Sequence, residues 1–204
     1  GYEPSAPDAK SPKKRCEFKT LAAIGVGIFI LIMAVLVVFD IEDISRKYIE
    51  KLASSTLGVP VHISEISLDP ENRRITVTGI VVENPAGFIK PAALTIESLN
   101  IDIETVQAST VIIQRIEAVA PTLLLEAQNN QVNLTTIRNN MDRNAANALQ
   151  EGQESPPVEV VIGQVDIQAA NLYMTINGSD LEPLPLAPIR ITGIGTEGGP
   201  ALSS

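Results

Sequence analysis

Residues 94–103 read LTIESLNIDI. Leu94 and Ile96 alternate with polar neighbours, and Leu99, Ile101 and Ile103 alternate again in the opposite phase. A period of two puts every second side chain on one face of a β-strand. The three-residue step from Ile96 to Leu99 predicts a bulge that bends that strand. The same grammar spreads outward on both sides. Val61 and Ile63 alternate, then step by three to Ile66; Ile75, Val77, Gly79 and Val81 alternate, as do Val111 with Ile113 and Leu123 with Leu125. Residues 158–162, 165–167, 172–176 and 189–194 return to strand composition. Turn-formers separate several of these runs: DPEN at 69–72, NPAG at 84–87, Ala120-Pro121 and the hairpin signal Asn177-Gly178. The pattern predicts a mainly β fold with some α: a curved antiparallel β-sheet of about ten strands. Its single apolar face includes Ile75, Val77, Ile96, Leu99, Ile101 and Ile103, and the pattern fits an apolar groove and a closed core equally.

Two helices interrupt the strand pattern. Ile41, Ile44, Tyr48 and Leu52 recur at helical spacing, predicting an amphipathic helix or stalk over 40–56 that Gly58 and Pro60 stop. Residues 133–150 carry Leu134, Ile137, Met141, Ala145 and Ala148 in a narrow stripe, predicting one surface helix capped by Asn133. Residues 150–157 form a polar linker, and the Gly-rich 195–204 carry no structural expectation.

Upstream of all this, residues 20–39 read TLAAIGVGIFILIMAVLVVF without a charge. At about 1.5 Å per residue, roughly 20 residues cover the hydrocarbon core of a bilayer. The expectation is a single N-terminal transmembrane helix through Leu21, Ile24, Ile28, Leu31, Val35 and Phe39. Lys10, Lys13, Lys14, Arg15 and Lys19 precede the span, and Asp40, Glu42 and Asp43 follow it. The positive-inside rule therefore keeps residues 1–19 cytoplasmic, with Lys13, Lys14 and Arg15 as cytoplasmic-face contacts, and exports residues 40–204. Cys16 is read as a free cytosolic thiol.

Composition narrows the chemistry. Fifteen Lys and Arg against 24 Asp and Glu give a formal net charge of −9, which argues against nucleic acid as a partner. One Cys excludes an internal disulfide, and one His, His62, excludes multi-His metal sites. The chain contains no G-x-S-x-G, H-E-x-x-H or P-loop. His62 reads as a satisfied surface imidazole. Asp102 and Glu104, two apart on a strand, read as a solvated face. The expectation is a non-enzyme with no cofactor and no metal.

Four stretches carry a family resemblance: KLASSTLGVPVHISEISLDPENRRITVTGIVVENPAGF (51–88), PAALTIESLNIDIE (91–104), VIIQRIEAVAPTLLLEAQNNQVNLTTI (111–137) and ITGIGTEGG (191–199). With the N-terminal span before them, the chain resembles the N-terminal membrane-anchored module of the bacterial AsmA-like periplasmic proteins. The resemblance implies a curved sheet with an apolar trough, anchored in the inner (cytoplasmic) membrane with the main domain periplasmic. It also implies association with phospholipid movement or outer-membrane assembly. Lipid-bridging members of that group are far longer, whereas about ten strands at 4.8 Å span roughly 50 Å.

Two functions follow. The first is a structural or assembly subunit that binds and stabilises a larger membrane protein complex, of photosynthetic or respiratory type for example. Its contacts would be helix to helix in the lipid bilayer, strand edge to partner, and tail to a cytoplasmic face. The second is AsmA-type phospholipid binding or transfer, or a role as an outer-membrane assembly factor; an aliphatic face suits acyl chains at about 0.8 kcal/mol per buried CH2. The short span favours the subunit.

Overall fold

The computed structural model describes residues 46–107, 110–150 and 159–194. The expected span (Leu21, Ile24, Ile28, Leu31, Val35, Phe39), the basic Lys13, Lys14 and Arg15, Cys16, residues 40–45, the linker beyond 150 and residues 195–204 lie outside the described residues. Among the described residues, no helix is long and apolar enough to cross a membrane.

Helix α1, Arg46–Leu57, opens the described chain. Ile49, Ala53 and Leu57 are its buried residues, with Leu52 packed beside them. The expected stripe through Tyr48 is therefore displaced by one position, and Tyr48 is exposed. Packing against the second helix, Asn133–Gln150, and the strand Val61–His62 selects this face over the one that simple spacing suggested. Gly58 takes φ +66° and donates its N–H to the Ser54 carbonyl at 2.9 Å, a left-handed helix cap.

The strands follow as β1 (Val61–His62), β2 (Glu65–Asp69), β3 (Arg74–Glu83), β4 (Ala92–Gln107), β5 (Thr110–Val119), β6 (Thr122–Gln128) and β7 (Gln131–Val132). Helix α2 (Asn133–Gln150) then leads to β8 (Glu159–Gln168), β9 (Asn171–Ile176), β10 (Ser179–Asp180), β11 (Leu184–Pro185) and β12 (Ile189–Ile194). The result is mainly β with two helices, and its one sheet curls into a half-barrel.

The sheet is mixed rather than antiparallel throughout. β5 pairs β8 in parallel, and β6 pairs β9 in parallel; the remaining ladders are antiparallel. The long return through α2 brings the chain back to the same end of the sheet, which a tight hairpin cannot do. Thr110 faces Glu159 and Ala127 faces Ile176, so the register holds at 49 residues along both pairs. At that offset Val111, Ile113, Ala120 and Leu123 meet Val160, Ile162, Ala169 and Leu172, four matching residues across the two strand pairs.

The curl has a definite origin. Reading the registers across the sheet, Ser64, Gly79, Glu97, Ala120, Ala169 and Ala187 fall on one row. Three of them have left-handed backbones: Gly79 (φ +60°), Ala120 (φ +49°) and Ala169 (φ +52°). On crossing this row the apolar positions step by three: Ile63 to Ile66, Val77 to Ile80, Ile96 to Leu99 and Ile167 to Ala170. β3 and β4 run through the row and reverse their alternation there, while elsewhere the row falls in the breaks between β1 and β2, β5 and β6, β8 and β9, and β11 and β12. The steps at Ile63 and Ile96 are thus not the predicted bulges, because the ladders keep their register through the row. The register shifts of β4 lie elsewhere, opposite β3 beside Val82 and opposite β5 around Ile103.

The core lies between the inner face of the sheet and the two helices. α1 packs on α2 and β1, and α2 packs on β6 and β7. Leu134 and Ile137 are buried and Met141 packs against the core, as their spacing predicts. Asn177 and Gly178, with φ +48° and +81°, form the expected hairpin turn between β9 and β10.

Candidate functional site

The residues proposed as groove or core divide between both. Ile75, Val77, Leu99 and Ile101 are buried, with Ile75 opposite Ile101 and Val77 opposite Leu99. Ile96, opposite Ile80 on the far side of the bend, and Ile103, opposite Ile113, are partly buried against the same cluster. Burial of a Val, Leu or Ile side chain stabilises by about 1.5–3 kcal/mol, so the middle of the trough is a packed core.

At one end the trough stays open. A cavity of about 430 Å³ is lined by Leu68, Pro70, Ile75, Ile103 and Val106, with Asp69, Arg73, Arg74, Glu104 and Thr105 beside them. Leu68 and Val106 are exposed, at 37% and 48%. The β2–β3 turn forms one wall. There the Asp69 carboxylate accepts the Asn72 N–H at 3.1 Å and the Asn72 side-chain amide at 2.7 Å, and these bonds hold it below the ordinary carboxylate pKa. The end of β4 forms the other wall. The Ile103 N–H donates to the Arg73 carbonyl at 2.9 Å, and Arg73 Nη1 donates to the Glu104 carbonyl at 2.8 Å, clasping turn to strand.

Asp102 and Glu104, read as one solvated face, differ in their partners. The register shift at Ile103 separates them. Asp102 receives both Nε (2.5 Å) and Nη2 (3.0 Å) of Arg74, a two-point ion pair. Glu104 lines the cavity, and its carboxylate makes no hydrogen bond or ion pair among the described residues.

On the opposite face of the sheet a polar ladder crosses four strands. Arg115 of β5 donates to Asp166 of β8 at 2.8 Å and to Glu117 at 2.9 Å. Arg190 of β12 reaches the other oxygen of Asp166 at 2.7 Å, and Asn100 of β4 reaches Glu117. The bonds from Arg190 and Gln164 hold the Asp166 carboxyl below its usual range, against the cost of desolvation.

A second polar cluster fastens the 84–91 loop. Glu126 is fully buried, and its carboxylate accepts the N–H groups of Ile89 (2.6 Å) and Lys90 (2.9 Å) and the Asn84 amide (3.1 Å). Asn133, also fully buried, donates to Asn84 Oδ1 and the Leu124 carbonyl, both at 2.7 Å. Its own Oδ1 accepts the Glu126 and Leu134 N–H groups. Asn133 is therefore more than the expected helix cap: it ties α2, β6 and the loop together. These contacts satisfy Glu126, which acts as a structural pin.

His62 meets Glu83 at 2.7 Å with both side chains well exposed, the surface imidazole that the strand pattern predicts. Among the described residues, no group of three or more His, Cys, Asp or Glu is placed to hold a metal. One further string, Gly193-Ile194-Gly195-Thr196-Glu197-Gly198, fits the spacing G-x-G-x-x-G. It begins in β12 on an antiparallel ladder, not after the parallel strand of a dinucleotide fold, and 195–198 lie outside the described residues.

Strand alternation marked the inner face but missed the cavity, the Asp166 ladder and the Glu126 pin. The one available signal for the pin was an acid inside the apolar run LLLEA. No protein-family model matches this chain, and no curated protein matches it.

Proposed function

We propose that this chain is a non-enzymatic, single-pass membrane protein whose exported β domain serves as a structural or assembly subunit of a larger membrane protein complex. The N-terminus is cytoplasmic and the domain periplasmic, in the inner membrane of a bacterium, following the resemblance to the AsmA-like module and the charges around residues 20–39. The supporting observation is the closed middle of the trough: Val77, Leu99 and Ile101 are spent on the protein's own core. A face filled in this way leaves no continuous channel for acyl chains, while β12, the end strand of the sheet among the described residues, supplies an edge for a partner strand. Extraction in mild detergent followed by native mass spectrometry tests the reading. Co-migration with defined proteins at fixed stoichiometry supports it, and a chain that is extracted alone, with no partner protein at any fixed stoichiometry, defeats it.

The open end of the trough favours a second reading, phospholipid binding of the AsmA type. Its aliphatic walls suit acyl chains, which are held by non-directional burial. That reading requires only local capture at the open end.

A further inference from the structure

The cavity at the end of the trough combines three features that no packing requirement explains. Its walls are aliphatic, from Leu68, Ile75, Ile103 and Val106. The Arg73 side chain stands at its rim with a single hydrogen bond, from Nη1 to a backbone carbonyl, and no carboxylate partner among the described residues. Glu104, whose carbonyl takes that bond, presents a carboxylate that neither Arg73 nor Arg74 engages. The neighbouring charges are already satisfied: Arg74 by Asp102, Asp69 by Asn72. One uncommitted cation and one uncommitted anion therefore flank one apolar opening.

We propose that this opening binds a zwitterionic phospholipid, the phosphate at Arg73, the ammonium at Glu104 and the acyl chains against Leu68, Ile103 and Val106. A planar guanidinium with donors left over matches phosphate oxygens two at a time. A carboxylate over an aliphatic wall is the complementary group for an ammonium. An anionic phospholipid such as phosphatidylglycerol carries the same phosphate but no ammonium, so it leaves Glu104 without a partner and the site discriminates by the missing attraction. The inference rests on the second reading above, and only on its local form.

The test titrates the full chain in dodecyl maltoside with dihexanoyl phosphatidylethanolamine and with dihexanoyl phosphatidylglycerol, counting lipid adducts by native mass spectrometry. The expected result is one adduct, with the ethanolamine lipid bound about tenfold more tightly, the size of one charge-assisted hydrogen bond. Glu104→Gln removes the preference by weakening the ethanolamine lipid alone. Arg73→Asn weakens both lipids and retains a residue that tolerates the φ of +50° at this position. Val106→Asp, at an exposed site, abolishes both while the circular dichroism spectrum is unchanged. Equal or tighter binding of the glycerol lipid, or a preference that survives Glu104→Gln, overturns the proposal. Phospholipid adducts with no headgroup preference leave the lipid reading standing without it, and absence of any adduct removes both.

Discussion

Replacing Gly79 by alanine tests whether the row of bent strands is what shapes the sheet. A Cβ on Gly79 falls 2.2 Å from Ser64 Oγ and 2.8 Å from Ser64 Cβ. The hydroxyl can rotate away, since its bond to the Gly79 carbonyl is long at 3.4 Å, but the Ser64 Cβ cannot. Overpacking of this kind costs about 1–3 kcal/mol. The left-handed φ of +60° adds about 1–2 kcal/mol for any residue with a Cβ, and the stiffer unfolded chain returns about 0.4–1 kcal/mol. The net loss is about 1–5 kcal/mol, or about 2–20 °C in Tm for a chain of this size. Thermal melts of the full chain in detergent, followed at the β-sheet circular dichroism band, measure it. Adding Ser64→Gly removes the steric part and recovers about half. Ala120→Gly, which relieves the same kind of backbone, has the opposite sign and raises or holds Tm. A Gly79→Ala protein that melts with the wild type, or a Ser64→Gly change that recovers nothing, refutes the idea that this row is sterically set.

Other consequences follow from the polar clusters and the core. Glu126→Ala leaves the Ile89 and Lys90 N–H groups without their acceptor and costs about 2–4 kcal/mol; hydrogen exchange at those two amides accelerates well ahead of that in β4. The Asp166 carboxyl has a lowered pKa in the folded state, so its contribution is fully present above its unfolded value near 3.8 and is lost as pH falls through the folded value. Asp166→Asn therefore lowers stability at neutral pH and flattens the acid limb of the stability profile below about pH 4, read by denaturant titration at a series of pH values. Ile101→Ala, at a position with no exposed surface, costs about 2–5 kcal/mol, whereas Val106→Ala at the open end changes Tm little.

What was legible in the sequence was the apolar set. Period-two runs located the strands and gave the inner face residue by residue, because a half-buried sheet leaves that signature in every strand. The phase slips at Ile63 and Ile96 were also visible, and they do mark bends. Their cause was not visible, since a left-handed alanine at 120 or 169 looks like any other alanine. Parallel pairing escaped for a related reason: strand composition records burial and says nothing of a neighbour's direction, which here depends on where α2 returns the chain. The open end was missed because Glu104 reads as part of an alternating solvated face, and that pattern says nothing of the cavity formed where the β2–β3 turn meets the end of β4. Glu126 was missed because its donors are backbone N–H groups of a distant loop, which carry no sequence identity.

The aligned row also limits how this protein can change in evolution. One residue inserted into β5 displaces Ala120, just beyond its end, from Ala169 and Glu97 together, so the break between β5 and β6 falls out of line with the rest of the row. Length variation is therefore confined to the connections: the β4–β5 turn, the passage from α2 to β8, and the loop at 84–91. Homologous chains will differ in the size of these connections and agree, strand by strand, in the count of residues from the row to the next turn.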